Sequence, residues 1–222
     1  MKSFGTHKLY TWTYDHLINV LTGGANPTLK DPLLINAFKN IDRADFVPEH
    51  LKEEAYSDKP LEIGYGQTIS QPTVVAKMLS LLRPREDKKY LDIGAGSGYA
   101  AALLAYIAGD QGKVFAIERN QYLADMARNN IAKYPELSPR VEVLFKDGSK
   151  GLMDKAPYDY IHVAAAFDSI PNEVRNQLTV GGKMIAPTAK DDIRLIERVS
   201  PTEFDERTMP GYLFVPIVEG IE

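Results

Sequence analysis

In the stretch Leu91-Asp92-Ile93-Gly94-Ala95-Gly96-Ser97-Gly98-Tyr99, a short apolar run passes through three glycines into a helical pattern. Glycine lets the backbone turn tightly and approach a ligand closely, and the helix N-terminus that follows favours an anionic group. A strand that leads through a glycine loop into a helix is typical of the ligand-binding corner of doubly wound α/β sheets. The stretch therefore predicts such a sheet, with a ligand site at this turn.

Helical and strand-like patterns alternate on both sides of the turn. The predicted strands are short and apolar without strict alternation, as expected when helices cover both faces of a sheet. Strand–helix repetition of this kind predicts a mostly parallel sheet. Helices are predicted over residues 12–21, 32–38, 72–82, 98–108, 121–133 and 172–178, and strands over residues 89–93, 113–117, 140–145, 159–165 and 183–187.

Three segments fall outside this alternation. Residues 58–66 are rich in turn-forming residues and are expected to form an ordered loop. Strand-like runs at residues 193–199 and 211–218 are joined by a polar segment and predict an antiparallel hairpin at one edge of the sheet. We expect residues 1–70 to form an N-terminal helical segment and loop within the same globule as the core, residues 71–222.

The composition excludes several kinds of site and partner. The chain has 222 residues, a net charge of −4 and no cysteine, which excludes disulfides, thiolate zinc sites and cysteine nucleophiles. Because nucleic-acid binding depends largely on clustered Lys and Arg, the negative balance argues against a nucleic-acid partner. The four histidines, His7, His16, His50 and His162, show no paired metal-ligand spacing, so we expect no metal site.

The apolar runs in the sequence are too short to predict a membrane-spanning helix, and none of them has the pattern of a leader segment. The longest run, residues 99–108, is far shorter than the ~20 residues that a membrane-spanning helix needs. Residues 1–10 lack the apolar region of a signal peptide. Together with the lack of cysteine, these features lead us to expect a cytoplasmic protein with no membrane partner.

The spacing of the glycines favours one nucleotide-like cofactor over another. Dinucleotide sites use G-x-G-x-x-G, whereas this chain has G-x-G-x-G with Asp92 two residues before the first glycine. This offset matches the loop that binds S-adenosylmethionine, whose ammonium group needs an acidic or carbonyl partner. An oxidoreductase that uses NAD is a distant alternative.

Acidic residues at the ends of the next two strands strengthen the cofactor prediction. Glu118 closes the second strand, where a carboxylate can accept hydrogen bonds from both ribose hydroxyls. Asp147-Gly148 follows the third strand, where an acid can accept a hydrogen bond from the adenine amino group. The predicted cofactor-binding residues are Asp92, Gly94, Ala95, Gly96, Ser97, Gly98, Glu118, Arg119, Asp147 and Gly148.

The absence of a polar motif after the fourth predicted strand indicates which kind of chemical group is methylated. It continues into Ala164-Ala165-Ala166-Phe167, without the polar motif that holds an exocyclic amine in enzymes that methylate nucleic-acid amino groups. We expect Asp168 on the surface or at a helix cap, and His162 packed in the core rather than acting as a base. A site with no evident general base suits a nucleophile that is already ionised at neutral pH, such as a carboxylate.

A second segment has a recognisable pattern. Gly64-Tyr65-Gly66-Gln67-Thr68-Ile69-Ser70-Gln71-Pro72 resembles the signature of the protein-L-isoaspartate O-methyltransferase family, and the resemblance extends over most of the chain. Arg43-Ala-Asp-Phe-Val-Pro48, the glycine loop and the closing Phe214-Val-Pro-Ile-Val218 also match. The resemblance implies a class I S-adenosylmethionine-dependent methyltransferase fold, Rossmann-like, with an antiparallel C-terminal edge and an N-terminal helical extension.

The resemblance also implies an activity, partners and site residues. The expected reaction transfers a methyl group from S-adenosylmethionine to the α-carboxyl of L-isoaspartyl residues in damaged proteins and peptides, by a monomeric enzyme without a metal. Ser70 is the implied catalytic residue, and from its sequence position alone it is also an ordinary N-cap for the helix that follows. The implied substrate-binding residues are Gln67, Thr68, Ile69, Val215 and Pro216.

The chain departs from the family pattern in two places. Thr73 and Val75 stand where many members carry histidine, and residues 186–191 lack the glycine-containing stretch that members commonly have after the fifth strand. These differences leave substrate preference open. A related methyltransferase that acts on another peptide carboxylate remains an alternative, as does a binding module that has lost turnover.

Overall fold

The structure is a computed structural model that describes residues 12–222, so the expectations for residues 1–11, including His7, lie outside the described residues. Six α-helices and nine strands occur in this part of the chain. The helices are α1 (Tyr14–Thr22), α2 (Pro32–Asn40), α3 (Pro72–Leu82), α4 (Tyr99–Ala108), α5 (Gln121–Ile131) and α6 (Asn172–Arg175). The strands are β1 (Leu61–Gly64), β2 (Gln67–Ile69), β3 (Lys89–Ile93), β4 (Lys113–Glu118), β5 (Val141–Phe145), β6 (Tyr158–Val163), β7 (Leu178–Thr188), β8 (Asp192–Arg198) and β9 (Phe204–Pro210).

Seven strands form one sheet in the order β5-β4-β3-β6-β7-β8-β9. Strands β3 to β7 pair in parallel, whereas β8 and β9 pair antiparallel at the C-terminal edge. The mostly parallel sheet with an antiparallel edge is therefore confirmed. The chain adds β4 and β5 on one side of β3 and then crosses to add β6 on the other side. At such a reversal of strand order, the ends of the strands open a crevice where ligands bind.

Both faces of the sheet are buried, which explains why the strands lack strict alternation. Tyr90 of β3 and Val114 of β4 pack into the apolar cluster that contains α1, α2, α3 and α4. Their neighbours Leu91 and Phe115 point to the other face and join a second cluster with Leu152 and residues after β6. The N-terminal helices thus share a core with the sheet, while the division of the chain at residue 70 stays a prediction.

The segment predicted as a loop at residues 58–66 contains a strand, so this prediction was wrong. Strand β1 pairs antiparallel with β2, and Leu61 lies opposite Ile69. Tyr65 and Gly66 form the turn with φ values of +54° and +68°, as in the tight hairpin turns that match strand twist. Strand β1 alternates buried and exposed residues, but a strand of four residues paired with one of three is too short for this alternation to stand out in the sequence.

The C-terminal hairpin has a different second strand from the predicted one. The partner of β8 is β9, Phe204–Pro210, and not residues 211–218. As an exposed edge strand, β9 carries four consecutive polar residues, Asp205 to Thr208, so its apolar content is low. Residues 211–218 instead return across the ends of the parallel strands, where Pro216 bridges Ala166. The helix predicted at 172–178 is also shorter, because Leu178 already belongs to β7.

The burial of several tyrosine side chains should make the free energy of unfolding fall at alkaline pH. Burial raises the pKa of seven tyrosine hydroxyls: Tyr14, Tyr56, Tyr90, Tyr99, Tyr134, Tyr158 and Tyr160. The pKa of Tyr56, for example, is raised to about 12. In the unfolded chain these groups ionise near pH 10, so the unfolded state releases protons that the folded state retains. The stabilisation is complete below pH 10 and is lost as the pH rises above it.

We therefore expect chemical denaturation to give a lower free energy of unfolding at pH 11 than at pH 9. Tyr158→Phe, at a fully buried position, should reduce this difference by about 1.4 kcal/mol, the value of one pH unit of ionisation. Tyr122→Phe is the matched control, because Tyr122 is 68% exposed. Equal free energies of unfolding at the two pH values would contradict the prediction.

Candidate functional site

The glycine loop between β3 and α4 is held in one conformation by β4. Gly94, Gly96 and Gly98 have φ values of +81°, +54° and +92°, in the left-handed region that favours glycine. The amides of Gly94 and Ala95 both donate to the Ile117 carbonyl at 2.9 Å. A Cβ on Gly98 would lie 3.1 Å from Ala127, so α5 also packs directly on the loop.

A cavity opens above this loop at the ends of β3, β4 and β6. It encloses about 760 Å³, including the part open to solvent. Predicted cofactor and substrate residues make up half of its lining: Gln67, Thr68, Gly94, Gly96, Glu118, Arg119, Gly148, Val215 and Pro216. The lining that the sequence did not predict is Tyr65, Ile93, Ile117, Asn120, Ala164, Ala165, Ile217, Val218 and Glu222.

Glu118 is the only buried carboxylate lining this larger cavity among residues 12–222, with 6% exposure. Its Oε2 accepts a hydrogen bond from the Gly96 amide at 2.8 Å, and its Oε1 accepts one from the Asn120 amide at 3.0 Å. These two bonds fix the carboxylate against both the loop and the start of α5. Each oxygen keeps a further lone pair with which it can accept a ligand hydroxyl.

Two segments form the walls around the larger cavity. At the tip of the β1–β2 hairpin, Tyr65 stacks on Tyr122 of α5, with ring centroids 5.1 Å apart. On the other side, Arg119 Nη1 contacts Glu222 Oε2 at 2.8 Å, and the Gly220 amide donates to Asp147 Oδ2 at 2.7 Å. The C-terminal segment is therefore tied to the ends of β4 and β5.

Asp147 and Arg119 thus already have protein partners. Partial burial acts to raise the pKa of Asp147, but the hydrogen bonds from the amides of Gly220 and Ser149 outweigh it and hold the pKa below its ordinary value. Asp147 does not line the larger cavity, whereas its neighbour Gly148 does. A Cβ on Gly148 would lie 2.7 Å from the Ile93 side chain, so a larger residue would have to displace this side chain.

A smaller cavity lies on the other side of the glycine loop and contains Ser70. Thr68, Gly94, Gly96 and Ala164 line both cavities, so the two are adjacent. The remaining lining of the smaller one is Ile69, Ser70, Val75, Met78, Ala95, Ser97, Tyr99, Ala100, His162 and Phe214. The structure therefore brings the predicted catalytic serine to the loop predicted to bind the cofactor.

Ser70 is positioned by its neighbours and does not cap α3, so the predicted N-cap role is wrong. The N-cap of α3 is Gln71, and its side chain makes no capping bond. Asp58, distant in sequence, supplies the cap instead, because its Oδ1 accepts the Thr73 amide at 2.9 Å. The Ser70 carbonyl accepts a hydrogen bond at 3.2 Å from Arg43, which is fully buried.

Asp92 and His162 form a buried pair beneath the smaller cavity. They lie opposite each other in the pairing of β3 with β6, and His162 Nδ1 is 2.7 Å from Asp92 Oδ1. The Asp92 side chain is fully buried and lines neither cavity, unlike the predicted cofactor contact. His162 is buried as predicted, yet its ring lines the smaller cavity.

Residues 12–222 contain neither a cluster of metal-ligating side chains nor a membrane-spanning helix. No group of three or more His, Asp or Glu side chains in this range is arranged as a metal-ligand set. In the same range, no helix combines the length and apolar character needed to cross a membrane. Asp168 is exposed, as the sequence predicted.

Comparisons with known proteins give consistent results. The sequence model described as protein-L-isoaspartate(D-aspartate) O-methyltransferase (PCMT) matches residues 15–222. A protein-L-isoaspartate O-methyltransferase of Methanopyrus kandleri is 43% identical over 193 residues, which cover 84% of each chain. One of Aeropyrum pernix is 44% identical over 188 residues, covering 83% of this chain and 72% of the relative.

Solved structures show the same fold. A putative protein-L-isoaspartate O-methyltransferase from Plasmodium falciparum, solved with S-adenosyl-L-homocysteine, superposes with a TM-score of 0.77 at 23% identity. The match covers 86% of this chain and 92% of that one. Another protein-L-isoaspartate O-methyltransferase gives a TM-score of 0.80 at 23% identity, covering 92% of this chain and 65% of the other.

Proposed function

Since the chain belongs to the protein-L-isoaspartate(D-aspartate) O-methyltransferase family, we propose that it methylates the α-carboxyl group of L-isoaspartyl residues in damaged proteins, with S-adenosylmethionine as the methyl donor. One observation carries the proposal for this chain. Ser70 lies in a cavity that shares the glycine loop with the larger cavity containing Glu118. A methyl donor held at the loop would therefore lie beside the serine.

The donor set of the larger cavity fits S-adenosylmethionine. Glu118 presents a fixed carboxylate to the ribose hydroxyls, and the left-handed glycines bring backbone close to the ligand. When bound, the cofactor supplies an electrophilic methyl group on a sulfonium. Gly148, Ile93 and Ile117 add backbone and apolar side chains to the same lining, which suits the adenine ring.

The chain's contribution to methyl transfer is to hold and desolvate the substrate carboxylate. A carboxylate is ionised at neutral pH, so no general base is required. The Ser70 hydroxyl can donate a hydrogen bond to it, while Ile69 and Val75 in the same lining exclude water. Alignment of the two reacting atoms lowers the barrier further. The methyl ester has a better leaving group than the free acid, which allows spontaneous closure to a succinimide and partial return to aspartate.

Ser70→Ala is expected to lower kcat about 10-fold and to leave the affinity for S-adenosylhomocysteine unchanged. The reason is that one hydrogen bond to a charged group is worth about 1.5 kcal/mol or more, and this one is made to the substrate alone. Initial rates on an isoaspartyl peptide and calorimetric titration of the product would measure the two effects. Unchanged turnover would remove Ser70 from the reaction.

The proposal also covers the substrate-binding residues. Gln67 and Thr68 on β2 and Val215 and Pro216 on the C-terminal segment all line the larger cavity. We assign them to the bound peptide, together with Ile69 beside Ser70. Peptide affinity measured at saturating cofactor tests this assignment, because substitutions of these residues should change KM for the peptide more than cofactor affinity.

Metal, oligomeric state and location complete the proposal. Transfer to an ionised carboxylate requires no Lewis acid, so we propose a reaction that is independent of metal. We expect dialysis against EDTA to leave the initial rate unchanged, and a loss of rate that Mg²⁺ restores would contradict this.

We further propose that the protein is a monomer that acts in the cytoplasm on isoaspartyl proteins and peptides, without nucleic-acid or membrane partners. Sedimentation velocity tests whether it is a monomer.

A further inference from the structure

A groove along α3, here called the basic groove, carries positive charges that the fold leaves unpaired. Its walls come from the loop between α1 and α2, from α3 and from the start of the C-terminal segment, and it encloses about 1310 Å³, including the part open to solvent. Lys30, Lys77 and Arg83 line it, and none of them forms an ion pair within residues 12–222. The carboxylate of Asp58 accepts a hydrogen bond from the amide of Thr73 in the lining, but it too forms no ion pair in this range.

Helix α3 presents one face to the basic groove and another to the smaller cavity. Thr73 and Lys77 are four residues apart, so they lie on one side of the helix, and both line the groove. Val75 and Met78 lie on an adjoining side and line the smaller cavity, which contains Ser70. A single helix therefore separates the groove from the cavity of the proposed catalytic serine.

The basic groove also meets the smaller cavity along the chain at two points. Gln71 lines the groove and directly follows Ser70. Gly211 and Tyr212 of the C-terminal segment line the groove, whereas Phe214 lines the smaller cavity. The groove is therefore within reach of a peptide whose carboxylate lies at Ser70.

Two further hollows adjoin the basic groove, and the cations that they add are neutralised. Both hollows share Ser80 and Arg83 with the groove. Each added cation has a carboxylate within 3.4 Å, the pairs being Arg85 with Asp31, Lys183 with Glu197 and Arg207 with Asp205. The positive charge that no carboxylate balances is therefore concentrated in the basic groove.

Three unpaired cations beside a peptide site favour a substrate chain that carries carboxylates. Lys and Arg are protonated at neutral pH, so the groove attracts anions. Nucleic-acid binding depends on a larger set of clustered cations, and this chain has a net charge of −4. In the proposed reaction, which this inference assumes, the molecule held next to the groove is a polypeptide, and its anionic side chains are those of Asp and Glu.

We propose that the basic groove binds acidic side chains of the substrate polypeptide and thereby gives the protein a preference for isoaspartyl residues in acidic segments. From Gln71 to Lys77 the helix rises about 9 Å, a distance that an extended peptide covers in about three residues. Arg83 lies about as far again along the helix. The acidic residues that the groove binds are therefore about three to six positions from the isoaspartyl residue.

The test uses two isoaspartyl peptides of equal length, with glutamates on both sides of the isoaspartyl residue in one and glutamines in the other. At an ionic strength of about 0.01 M, where charges act over roughly 30 Å, we expect the wild type to have an about 10-fold lower KM for the glutamate peptide, as for three partly exposed ion pairs. The kcat values should be similar, because the groove is separate from the reacting atoms. At about 1 M salt the two KM values should become nearly equal.

The triple variant Lys30→Gln/Lys77→Gln/Arg83→Asn should bring the ratio of the two KM values close to one at low salt. Asparagine suits position 83 because the backbone there is left-handed, with a φ of +53°. Chemical denaturation checks that the variant is folded. The comparison of the two peptides on the wild type at low and high salt requires no variant.

The matched control is the triple variant Lys39→Gln/Lys88→Gln/Lys150→Gln. It changes the net charge by the same amount at exposed lysines that line neither the basic groove nor the cavities of the proposed site. We expect it to keep the KM ratio of the wild type.

Three results would overturn the inference and leave the proposed function intact. The first is equal KM values for the two peptides in the wild type at low salt, and the second is the same KM ratio in the groove variant and the control variant. The third is stronger competition against the glutamate peptide by an oligouridylate than by a polyglutamate of equal length, which would assign the groove to nucleic acid. Methylation of neither peptide by the wild type would instead overturn the proposed function.

Discussion

Glu118→Ala is expected to weaken binding of S-adenosylhomocysteine by about 100-fold, because it removes the acceptor of the two charge-assisted hydrogen bonds to ribose that we propose, each worth about 1.5 kcal/mol. The substitution also leaves the amides of Gly96 and Asn120 without their acceptor, since both now donate to this carboxylate. The loop that approaches the ligand would therefore lose its support from β4. Calorimetric titration measures the affinity, and chemical denaturation separates it from any loss of stability.

The matched control for this prediction is Asp125→Ala on the neighbouring helix. Asp125 is an acidic residue whose side chain is 54% exposed and pairs with Arg128, away from both cavities. It should bind the ligand as the wild type does. Equal affinities for Glu118→Ala and Asp125→Ala would remove Glu118 from the cofactor site.

Arg43→Met is expected to lower the free energy of unfolding by about 3–5 kcal/mol, as for loss of a buried charged hydrogen-bond network. The guanidinium is fully buried, and burial lowers the pKa of Arg43 to about 10. It donates to the carbonyls of Ala55, Lys59 and Ser70 at 2.5, 3.1 and 3.2 Å. Methionine fills the volume but leaves three carbonyls without donors.

Two further variants make the Arg43 prediction specific. Arg43→Lys keeps the charge, but a single ammonium does not reproduce the planar fork, so most of the loss should remain. Arg85→Met is the control, because its ion pair with Asp31 is half exposed and such pairs are worth about 1 kcal/mol or less. A free energy of unfolding for Arg43→Met within 1 kcal/mol of the wild type would contradict the account of how the Ser70 segment is held.

The parts of the fold that the sequence predicted well are those with long apolar elements. Helix α3 and strand β3 have the bounds that their periodicity indicated. The β1–β2 hairpin was missed because alternation over four residues, as in β1, is too short to distinguish a strand from a loop. The glycines on both sides of Tyr65 were the available signal, since Gly64 and Gly66 both adopt positive φ values at the hairpin turn.

For the site, the sequence identified several of the side chains and glycines that line the cavities, but not all of the contacts that they make. Glu118 and the loop glycines lie where strand order predicts, because the ends of adjacent parallel strands meet at one edge. The contacts of Asp92 were not predictable in this way, because they depend on the register that places His162 beside it on β6. Likewise, a cap supplied by Asp58 across a hairpin leaves no local spacing to detect.

The contacts of the C-terminal segment, residues 211–222, were likewise only partly predictable from the sequence. Its match to the family predicted Val215 and Pro216 at the site, and both line the larger cavity. The hydrogen bond from the Gly220 amide to Asp147 has no sequence signature, because a backbone amide is present at every residue except proline. The contact therefore emerges only from the path of residues 211–222 over the strand ends.

The most direct test of the proposed function is transfer of labelled methyl from S-adenosylmethionine to a matched pair of peptides. The peptides are identical except for one residue, which is L-isoaspartyl in one and L-aspartyl in the other. We expect base-labile label on the isoaspartyl peptide alone, because the ester forms on the α-carboxyl that only this linkage exposes. Label on the aspartyl peptide alone, or on neither when S-adenosylhomocysteine binds, would contradict repair methylation by this chain.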